Sequence, residues 1–332
     1  MKKEITISNI AEKLGVSKST VSRAISGKGR IGKETRDKIL NYIMDNEYQL
    51  NGTAYGTIRS KTYSIGIAIP AFSDAIHSPF FQRCILGSCE VAQAMEYDVI
   101  VSSIDNDNIR AIERLVENKK IDGIILTRPL IHDRAITYLK EHEVPFVVIG
   151  SLDDEDIYQV DSDNKSGCKE LTSYMAMIGM KRIGLIGGNR NHKVTLDRYS
   201  GFEEGVHQAG KEVDCNLVFL DILSESAIRQ TVKKLVRMGA DCIACMDDYI
   251  CIHAFKKLKK MDDKLLQEIK LISFYGTGDK EFQGLDIYSL QYDPHKVSAE
   301  AARVLFQLVR GEKTNKKTKL GYEVILRKTV EI

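Results

Sequence analysis

The sequence predicts an α/β protein in which a small helical module precedes two doubly wound parallel-sheet lobes. The first sixty residues contain three short amphipathic helical patterns. From Tyr63 onward, short apolar runs alternate with amphipathic helices, which is typical of parallel sheets covered on both faces. This alternation breaks near 160–162 and then resumes, so we expect two similar lobes that face a cleft.

The length and composition fit this organisation. A chain of 332 residues is long enough for two or three folding units. We expect the helical module at 1–49, a connecting segment at 50–62 and the two-lobed body at 63–332. With 43% hydrophobic and 28% charged residues, the composition is that of a protein with a real core and excludes disorder.

Charge is distributed unevenly along the chain. Residues 1–62 contain 12 Lys or Arg and 6 Asp or Glu, a net charge of +6, which leaves −4 for the rest. A basic module on a mildly acidic body suits the neutralisation of phosphates. The charge permits DNA binding without proving it.

The seven cysteines are odd in number and lie mostly in apolar segments, which predicts reduced thiols in a cytosolic protein. Cys242 and Cys245 form a CxxC pattern without a second ligand pair, so core packing is favoured over zinc or redox chemistry. The N-terminus has no apolar signal region, and nothing spans 18 apolar residues. We expect a cytoplasmic protein that needs no membrane, metal or cofactor.

Three helices are expected in the first fifty residues, at 5–15, 17–25 and 32–46. Gly15 can take the left-handed conformation that ends the first helix, and Ser17 is placed to cap the second. Each helix has an apolar stripe, so the three together can close a small core. The inward positions are Ile7, Ile10, Ala11, Leu14, Val21, Ala24, Ile25, Ile39, Leu40, Ile43 and Met44.

The second helix turns a polar face outward. Lys18, Ser19, Ser22 and Arg23 lie opposite its apolar stripe. Such a helix can lie in a DNA major groove, with its N-terminal residues on base edges and its hydroxyls on phosphates. The alternative is a polar face that contacts only water.

The stretch Ile10-Ala11-Glu12-Lys13-Leu14-Gly15-Val16-Ser17-Lys18-Ser19-Thr20-Val21-Ser22-Arg23 resembles the headpiece of the LacI/GalR family of bacterial repressors. The resemblance runs along the whole chain and implies a transcription regulator that binds operator DNA as a homodimer. It implies that Lys18, Ser19 and Arg23 contact bases. The full set of predicted DNA contacts is Thr6, Ser17, Lys18, Ser19, Thr20, Ser22, Arg23, Arg30, Asn51, Ala54, Thr57 and Ile58.

In this family the segment after the headpiece is a hinge that inserts a leucine into the minor groove. Here Leu50 stands where a proline is usual, Tyr55 replaces the customary Arg, and Thr57 occupies the lever position. Gly52 and Gly56 each cost a hinge helix up to about 1 kcal/mol relative to alanine. Ile58 can serve as the wedge only if the helix shifts by one residue.

Strands are predicted in the body at 65–69, 99–101, 123–126, 146–149, 183–186, 218–220, 243–245 and 271–274. Ligands of parallel sheets bind beyond the carboxyl ends of strands, so the loops after these runs are candidate sites. The loop at 184–188 lacks both the GxGxxG spacing and the lysine of a phosphate loop. Nucleotide binding is therefore disfavoured.

The resemblance continues through 161–164, 180–183 and 198–202, which are similar to the periplasmic-binding-protein-like core of LacI-type regulators. It implies that Arg198 and Asp247 bind the effector, although Arg198 could also be a surface residue. Asp248 is expected to cap the following helix. Tyr275, where the family commonly has aspartate, could stack on a sugar or fill the cleft. The predicted effector-binding residues are Phe80, Arg128, Arg198, Asp247 and Tyr275.

Two short stretches, 142–150 and 194–198, are similar to the maltose-responsive repressors of low-GC Gram-positive bacteria. Maltose or a maltodextrin is thus the first expectation for the effector; another sugar and a phosphorylated co-regulator protein stay open. A sugar-binding transport component is opposed by the headpiece. An enzyme is opposed by the lack of a GxSxG elbow and of any nucleophile or metal motif around the histidines.

Overall fold

A computed structural model of the protein describes residues 7–26, 31–45, 61–71, 79–276 and 287–326. The chain divides into two compact units, residues 1–62 and 63–332.

The first unit contains the three predicted helices, α1 (Ile7–Leu14), α2 (Lys18–Ser26) and α3 (Lys33–Asp45). Gly15 has a φ of +66°, and the Ser17 Oγ accepts a hydrogen bond from the Thr20 N–H at 3.1 Å, so the predicted turn and cap are confirmed. Leu40 is half-buried rather than a core residue. The side chain of Met44 lies outside the described residues. The buried core consists of Ile10, Ala11, Val21, Ala24, Ile25, Ile39 and Ile43.

The first lobe is built on a six-stranded sheet in which every pairing is parallel, with the order β11-β5-β4-β3-β1-β2. Its central strands are buried on both faces, which is why they appear in the sequence as continuous apolar runs. The elements of this lobe are β1 (Ser64–Pro70), α4 (Pro79–Ala94), β2 (Asp98–Ile104), α5 (Arg110–Glu117), β3 (Gly123–Leu126), α6 (Arg134–Glu141), β4 (Phe146–Ile149), β5 (Gln159–Ser162), α12 (Pro294–Val309) and β11 (Lys317–Leu320).

The second lobe has a six-stranded sheet in the order β12-β10-β9-β8-β6-β7. Its strands are parallel except for β12, which pairs antiparallel with β10. The elements of this lobe are α7 (Asn164–Met177), β6 (Ile183–Ile186), α8 (Lys193–Gln208), β7 (Val218–Phe219), α9 (Glu225–Arg237), β8 (Cys242–Cys245), α10 (Asp248–Met261), α11 (Leu265–Glu268), β9 (Lys270–Gly276), β10 (Ile287–Gln291) and β12 (Glu323–Ile325).

The chain passes between the lobes three times, at 162–164, 291–294 and 320–323. We expected the first lobe to be complete before the chain enters the second. This is wrong after the first crossing, because α12 returns to the first lobe and packs on α4. Gly87 makes this packing possible, since a Cβ there would lie 2.3 Å from the His295 carbonyl oxygen. The three crossing segments follow the carboxyl ends of β5, β10 and β11.

All seven cysteines are free thiols, and the Cys242–Cys245 pair is fully buried in β8. Burial raises the pKa of both thiols well above its ordinary value, which keeps them protonated. Within the described ranges, no group of three or more His, Cys, Asp or Glu side chains is arranged to hold a metal ion. The same part of the chain has no helix with the length and apolarity needed to cross a membrane.

Candidate functional site

The outward face of α2 is the candidate DNA-binding surface. Lys18, Ser19, Ser22 and Arg23 are exposed, whereas the stripe that faces α1 and α3 is buried. Thr20 is half-buried and its Oγ1 lies 2.7 Å from the Ser17 Oγ, so these two hydroxyls belong to the helix cap. The predicted division of this helix into a core face and a polar face is confirmed. The other predicted contacts, Thr6, Arg30, Asn51, Ala54, Thr57 and Ile58, lie outside the described residues.

Arg198 lies in the second lobe, beside the first segment that crosses between the lobes. It lies in the second turn of α8, where its Nε donates to the Asn164 Oδ1 at 3.1 Å and its Nη1 donates to the Met246 carbonyl at 2.6 Å. Its Cζ lies 5.3 Å from the centroid of the Tyr275 ring. The Arg198 guanidinium is half-buried and is contacted on three sides. Arg198 is therefore not the free surface residue that the sequence left open as an alternative.

Asp247 lies next to this arginine, because Met246 supplies the carbonyl that Arg198 contacts. Its backbone is extended, and its Oδ1 accepts from the Ile250 N–H at 2.8 Å, so Asp247 is the N-cap of α10. The prediction that Asp248 caps this helix is wrong, since Asp248 is already the first helical residue. Burial raises the pKa of Asp247, and the charges of Arg198 and Arg128 oppose that shift.

Tyr275 is the penultimate residue of β9, and its ring contacts residues of both lobes. Its ring stacks on Tyr292, with centroids 5.9 Å apart and an interplanar angle of 10°. The edge of Phe80, from α4 of the first lobe, lies 6.0 Å away. Tyr275 is only 8% exposed, so in this structure the ring fills the floor of the cleft instead of offering a free face. Its buried hydroxyl has no hydrogen-bond partner within the described part of the chain.

Arg128 projects from the loop after β3, with its Cζ 5.2 Å from the centroid of the Phe81 ring. Burial lowers the pKa of its guanidinium to about 10, so it stays charged at neutral pH. His192, from the second lobe, is kept neutral because burial and the charge of Arg128 lower its pKa to about 4. A cavity of about 190 Å³ lies between them at the carboxyl ends of β1, β2 and β3.

The lobes touch along the rim of this cavity. Leu130 and His192 form an isolated antiparallel bridge, and the Ile131 N–H donates to the Asn191 carbonyl at 3.1 Å. The Lys193 ammonium lies 2.9 Å from the Asp153 carboxylate of the first lobe. Of the five predicted effector residues, Arg128 lines this cavity and the other four do not. Phe80 and Arg198 contact the Tyr275 ring, and Asp247 lies close enough to Arg128 and Arg198 for their charges to affect its pKa.

Two polar residues of the site were not predicted to have a role there. Asn164 receives the Nε bond of Arg198, and the Asp161 carboxylate contacts the amide of Asn164 at 3.2 Å. Asp161 is the third residue of β5 and Asn164 lies two residues beyond its end. The sequence of β5, Gln-Val-Asp-Ser, is mostly polar and so does not resemble a buried strand. Had β5 been recognised, the rule that ligand sites follow strand ends would have selected Asn164 with the other residues.

A helix-turn-helix module ahead of a two-lobed body with a polar cleft is the architecture of a ligand-responsive DNA-binding regulator. Two family models match the chain. One, described as periplasmic binding proteins and sugar binding domain of LacI family, matches residues 64–314, and the other, bacterial regulatory proteins of the lacI family, matches residues 6–51. The chain belongs to the LacI family and is a DNA-binding transcription regulator with a sugar-binding domain. This confirms the predicted family and class.

Relatives agree with this assignment over nearly the whole chain. The HTH-type transcriptional regulator MalR of Streptococcus pneumoniae is 28% identical over 320 residues, which cover 94% of this chain and 95% of MalR. Catabolite control protein A of Staphylococcus epidermidis is 26% identical over 311 residues, 93% of each chain. These relatives are transcription regulators, which confirms the prediction that the chain is not an enzyme. The match to MalR confirms the predicted similarity to the maltose-responsive repressors of the family.

A solved structure, a probable maltose operon transcriptional repressor malR of Staphylococcus aureus, superimposes with a TM-score of 0.74 at 17% identity. The match covers 82% of this chain and 99% of that chain. At this identity the likeness demonstrates the fold alone.

Proposed function

We propose that the protein represses transcription as a homodimer on a pseudo-palindromic operator, and that a small sugar bound in the cleft controls its operator affinity. The observation that carries the proposal is the cleft itself. Arg128 and the neutral His192 line a cavity at which the two lobes contact each other, and Asp247 lies close enough to Arg128 and Arg198 for their charges to affect its pKa. A ligand held there binds both lobes at once and so favours one arrangement of them.

The DNA side of the proposal depends on α2. Its exposed N-terminal residues, Lys18 and Ser19, are positioned to reach base edges in a major groove, and Arg23 one turn later is suited to a bidentate contact with guanine. The hydroxyls of Ser17 and Thr20, at the N-terminal end of α2, are proposed to contact phosphates. Thr6, Arg30 and the hinge residues Asn51, Ala54, Thr57 and Ile58 complete the proposed contact set.

A dimer follows from the small size of one headpiece. A single three-helix module buries too little surface for high specific affinity, whereas two modules can contact half-sites about one helical turn apart. Analytical ultracentrifugation at micromolar concentration should therefore give twice the 37.4 kDa mass of one chain. A monomer that binds an isolated half-site tightly would contradict the proposal.

The chemistry of the cleft suits a neutral polyol. Arg128 and Arg198 donate hydrogen bonds, Asp247 accepts them, and neutral His192 can do both. A sugar hydroxyl both donates and accepts, so it matches this mixed set better than an anion or a cation does. The buried hydroxyl of Tyr275 supplies one more partner.

Maltose or a maltodextrin is the effector that we propose first. Its support is the similarity of 142–150 and 194–198 to maltose-responsive repressors, together with the relative MalR. Another sugar, or a phosphorylated co-regulator protein acting with it, is the alternative within the same class.

The test combines a thermal-shift screen with an operator titration. A sugar that binds only the folded protein must raise its unfolding temperature, so maltose, maltotriose, cellobiose, lactose and glucose are compared. The operator affinity of the wild type is then measured against the concentration of the sugar that gives a shift. We expect the maltose series to shift both the unfolding temperature and the operator affinity.

Arg198→Ala and Arg182→Ala form a matched pair for this titration. Both remove an arginine from the second lobe, but the Arg182 side chain is exposed and its guanidinium lies 3.5 Å from the Asp214 carboxylate, while its backbone N–H donates to the Asp241 carboxylate. Arg198→Ala should keep normal operator affinity and lose the response to sugar, whereas Arg182→Ala should keep both. An unchanged titration midpoint in Arg198→Ala would show that the effector binds elsewhere.

A further inference from the structure

A chain of hydrogen bonds leads from β5 in the first lobe to the arginine in the cleft. The Ser151 Oγ donates to the Asp161 Oδ2 at 2.8 Å, and the Ser162 N–H donates to the Asp161 Oδ1 at 2.7 Å. The Asn164 Nδ2 donates to the same Oδ1 at 3.2 Å. The Asn164 Oδ1 then accepts the Nε–H of Arg198 at 3.1 Å.

The direction of the Asn164 amide decides what Arg198 meets. A guanidinium has only donors, so it can bond to the Oδ1 of Asn164 but not to its Nδ2. An ionised carboxylate has only acceptors, so Asp161 must face the Nδ2. Ionised Asp161 therefore forces the amide into the one direction that presents its oxygen to Arg198. The Ser162 carbonyl, 3.1 Å from the Nδ2, favours the same direction.

Arg198 retains donors for a ligand when these bonds are made. Its Nε and Nη1 each contact one acceptor, and the Nη2 group has no partner among the residues that the structure describes. The bonds to Asn164 and Met246 fix the plane of the guanidinium and hence the direction of the Nη2 donors.

We propose that Asp161 is a positioning residue of the effector site, which orients the Asn164 amide so that Asn164 holds the Arg198 guanidinium in its ligand-binding direction. The proposal rests on the proposed function for the identity of the site, since Arg198 is taken as an effector contact. Asp161 itself acts through the two residues between it and the ligand.

The surroundings of Asp161 make this role sensitive to pH. Burial raises the pKa of its carboxyl to about 6, and the charge of Asp197 adds to the shift, while the Ser151 and Ser162 hydrogen bonds and the charge of Arg198 oppose it. Tyr292 faces it from the second crossing segment, and Lys319 lies opposite it in the β11 register but contacts the Asp163 carboxylate at 3.3 Å. The pKa of His192 is about 4, so this histidine does not titrate in the same range.

Protonation of Asp161 should weaken effector binding, because it removes the constraint on the direction of the Asn164 amide. A protonated Asp161 can donate to the Asn164 Oδ1, which allows the amide to turn and removes the acceptor from Arg198. Effector binding should therefore favour ionised Asp161. Affinity is then constant above the pKa of about 6 and falls as the pH drops through it.

The experiment compares Asp161→Asn with Asp163→Asn in the full-length protein. Asparagine at 161 imitates the protonated carboxyl at every pH. Asp163 is the N-cap of α7, because its Oδ1 accepts a hydrogen bond from the Ser166 N–H at 3.4 Å, and asparagine at 163 keeps this cap. The sugar found by the thermal-shift screen is titrated from pH 5 to pH 8. In parallel, arginine Nε–H signals of the ligand-free protein are followed by NMR over the same pH range, with Arg198→Lys assigning the Arg198 signal.

In the wild type we expect the dissociation constant to rise below pH 6 and the Arg198 Nε–H signal to shift with the same midpoint. Asp161→Asn should bind the sugar about three- to tenfold more weakly at pH 7.5, a partial loss because the Ser162 carbonyl remains, and its pH profile should be flat. Asp163→Asn should behave like the wild type.

A pH-independent Arg198 signal in the wild type, or an unaltered pH profile in Asp161→Asn, would overturn the positioning role. The wild-type NMR titration needs no ligand, and the only variant it uses is Arg198→Lys, for the assignment. If no sugar binds the protein, the proposed effector class fails while the NMR titration still decides the role of Asp161.

Discussion

Replacing Arg23 with alanine tests the proposed DNA-contacting surface most directly. Arg23 is exposed on α2, and its neighbours Val21, Ala24 and Ile25 form the buried stripe that holds the helix in the module. The substitution therefore removes a side chain from solvent without opening the core, and alanine is the strongest helix former. Any change in operator binding must come from the lost contact.

The size of the effect depends on what Arg23 contacts. A bidentate bond to a guanine contributes about 1–3 kcal/mol of discrimination, which is about 5- to 150-fold in affinity for the operator over a site with that base changed. A contact to phosphate gives no discrimination, and its loss reduces the salt dependence of log K by about 0.9. Loss of a base contact therefore lowers the preference for the operator, whereas loss of a phosphate contact lowers the salt dependence of binding.

The assay measures affinity for operator and for random DNA of equal length at several salt concentrations. Lys13→Ala is the matched control, because Lys13 is an exposed basic residue at the end of α1 and its loss changes the charge of the module equally. We expect Arg23→Ala to weaken operator binding selectively, and Lys13→Ala to leave the preference for operator unchanged. Equal losses on operator and random DNA would remove Arg23 from the base-contacting residues.

Three further predictions concern stability and thiol chemistry. Gly201→Ala should lower the unfolding temperature of the body by about 5–10 °C in calorimetry, since a Cβ there would lie 2.3 Å from the Lys165 carbonyl oxygen. Gly188→Ala is the control and should leave the unfolding temperature unchanged, because a Cβ at 188 would have nothing within 4 Å. Ser17→Ala should cost the headpiece about 1 kcal/mol by removing the cap of α2, seen as about fivefold faster amide hydrogen exchange in that helix; unchanged exchange would mean that the cap contributes nothing. Under native conditions a thiol reagent should label the exposed Cys215 quickly, and the five buried cysteines only after unfolding; fast labelling of the buried group would contradict their role as core residues.

The sequence predicted the central strands of both sheets because parallel strands buried on both faces are continuous apolar runs. Residues 65–69 and 123–126 are examples, and all their side chains are buried in β1 and β3. The strands that were missed lie toward the sheet edges or carry polar residues. β11 has the sequence Lys-Thr-Lys-Leu and alternates exposed with half-buried residues, but three of its four side chains are polar, so its sequence shows neither an apolar run nor an apolar alternation.

The site was predicted less completely than the fold, for a related reason. Arg198 and Tyr275 could be selected by type and position, but their partners depend on how distant segments meet. Asn164 lies 34 residues before Arg198, and no local pattern indicates that the two share a hydrogen bond. The choice between Asp247 and Asp248 as the cap was wrong because both are good cap residues, and only the backbone conformation at 247, with a φ of −151° and a ψ of 173°, separates them.

The three segments that join the lobes also border the proposed effector site, and this placement bears on how a ligand could act. Asn164 follows the first crossing, Tyr292 lies on the second and Tyr322 on the third, and the ring of Tyr292 lies 5.9 Å from that of Tyr275 and 6.3 Å from that of Tyr322. Asn164, which accepts a hydrogen bond from Arg198, therefore belongs to a segment that joins the lobes, whereas Met246 and Tyr275 lie at the ends of β8 and β9. A ligand changes an equilibrium only by its differential affinity for two arrangements, and contacts at the crossings differ between arrangements more than contacts inside a rigid sheet do. Binding at Arg198 can thus select a lobe arrangement without altering either core.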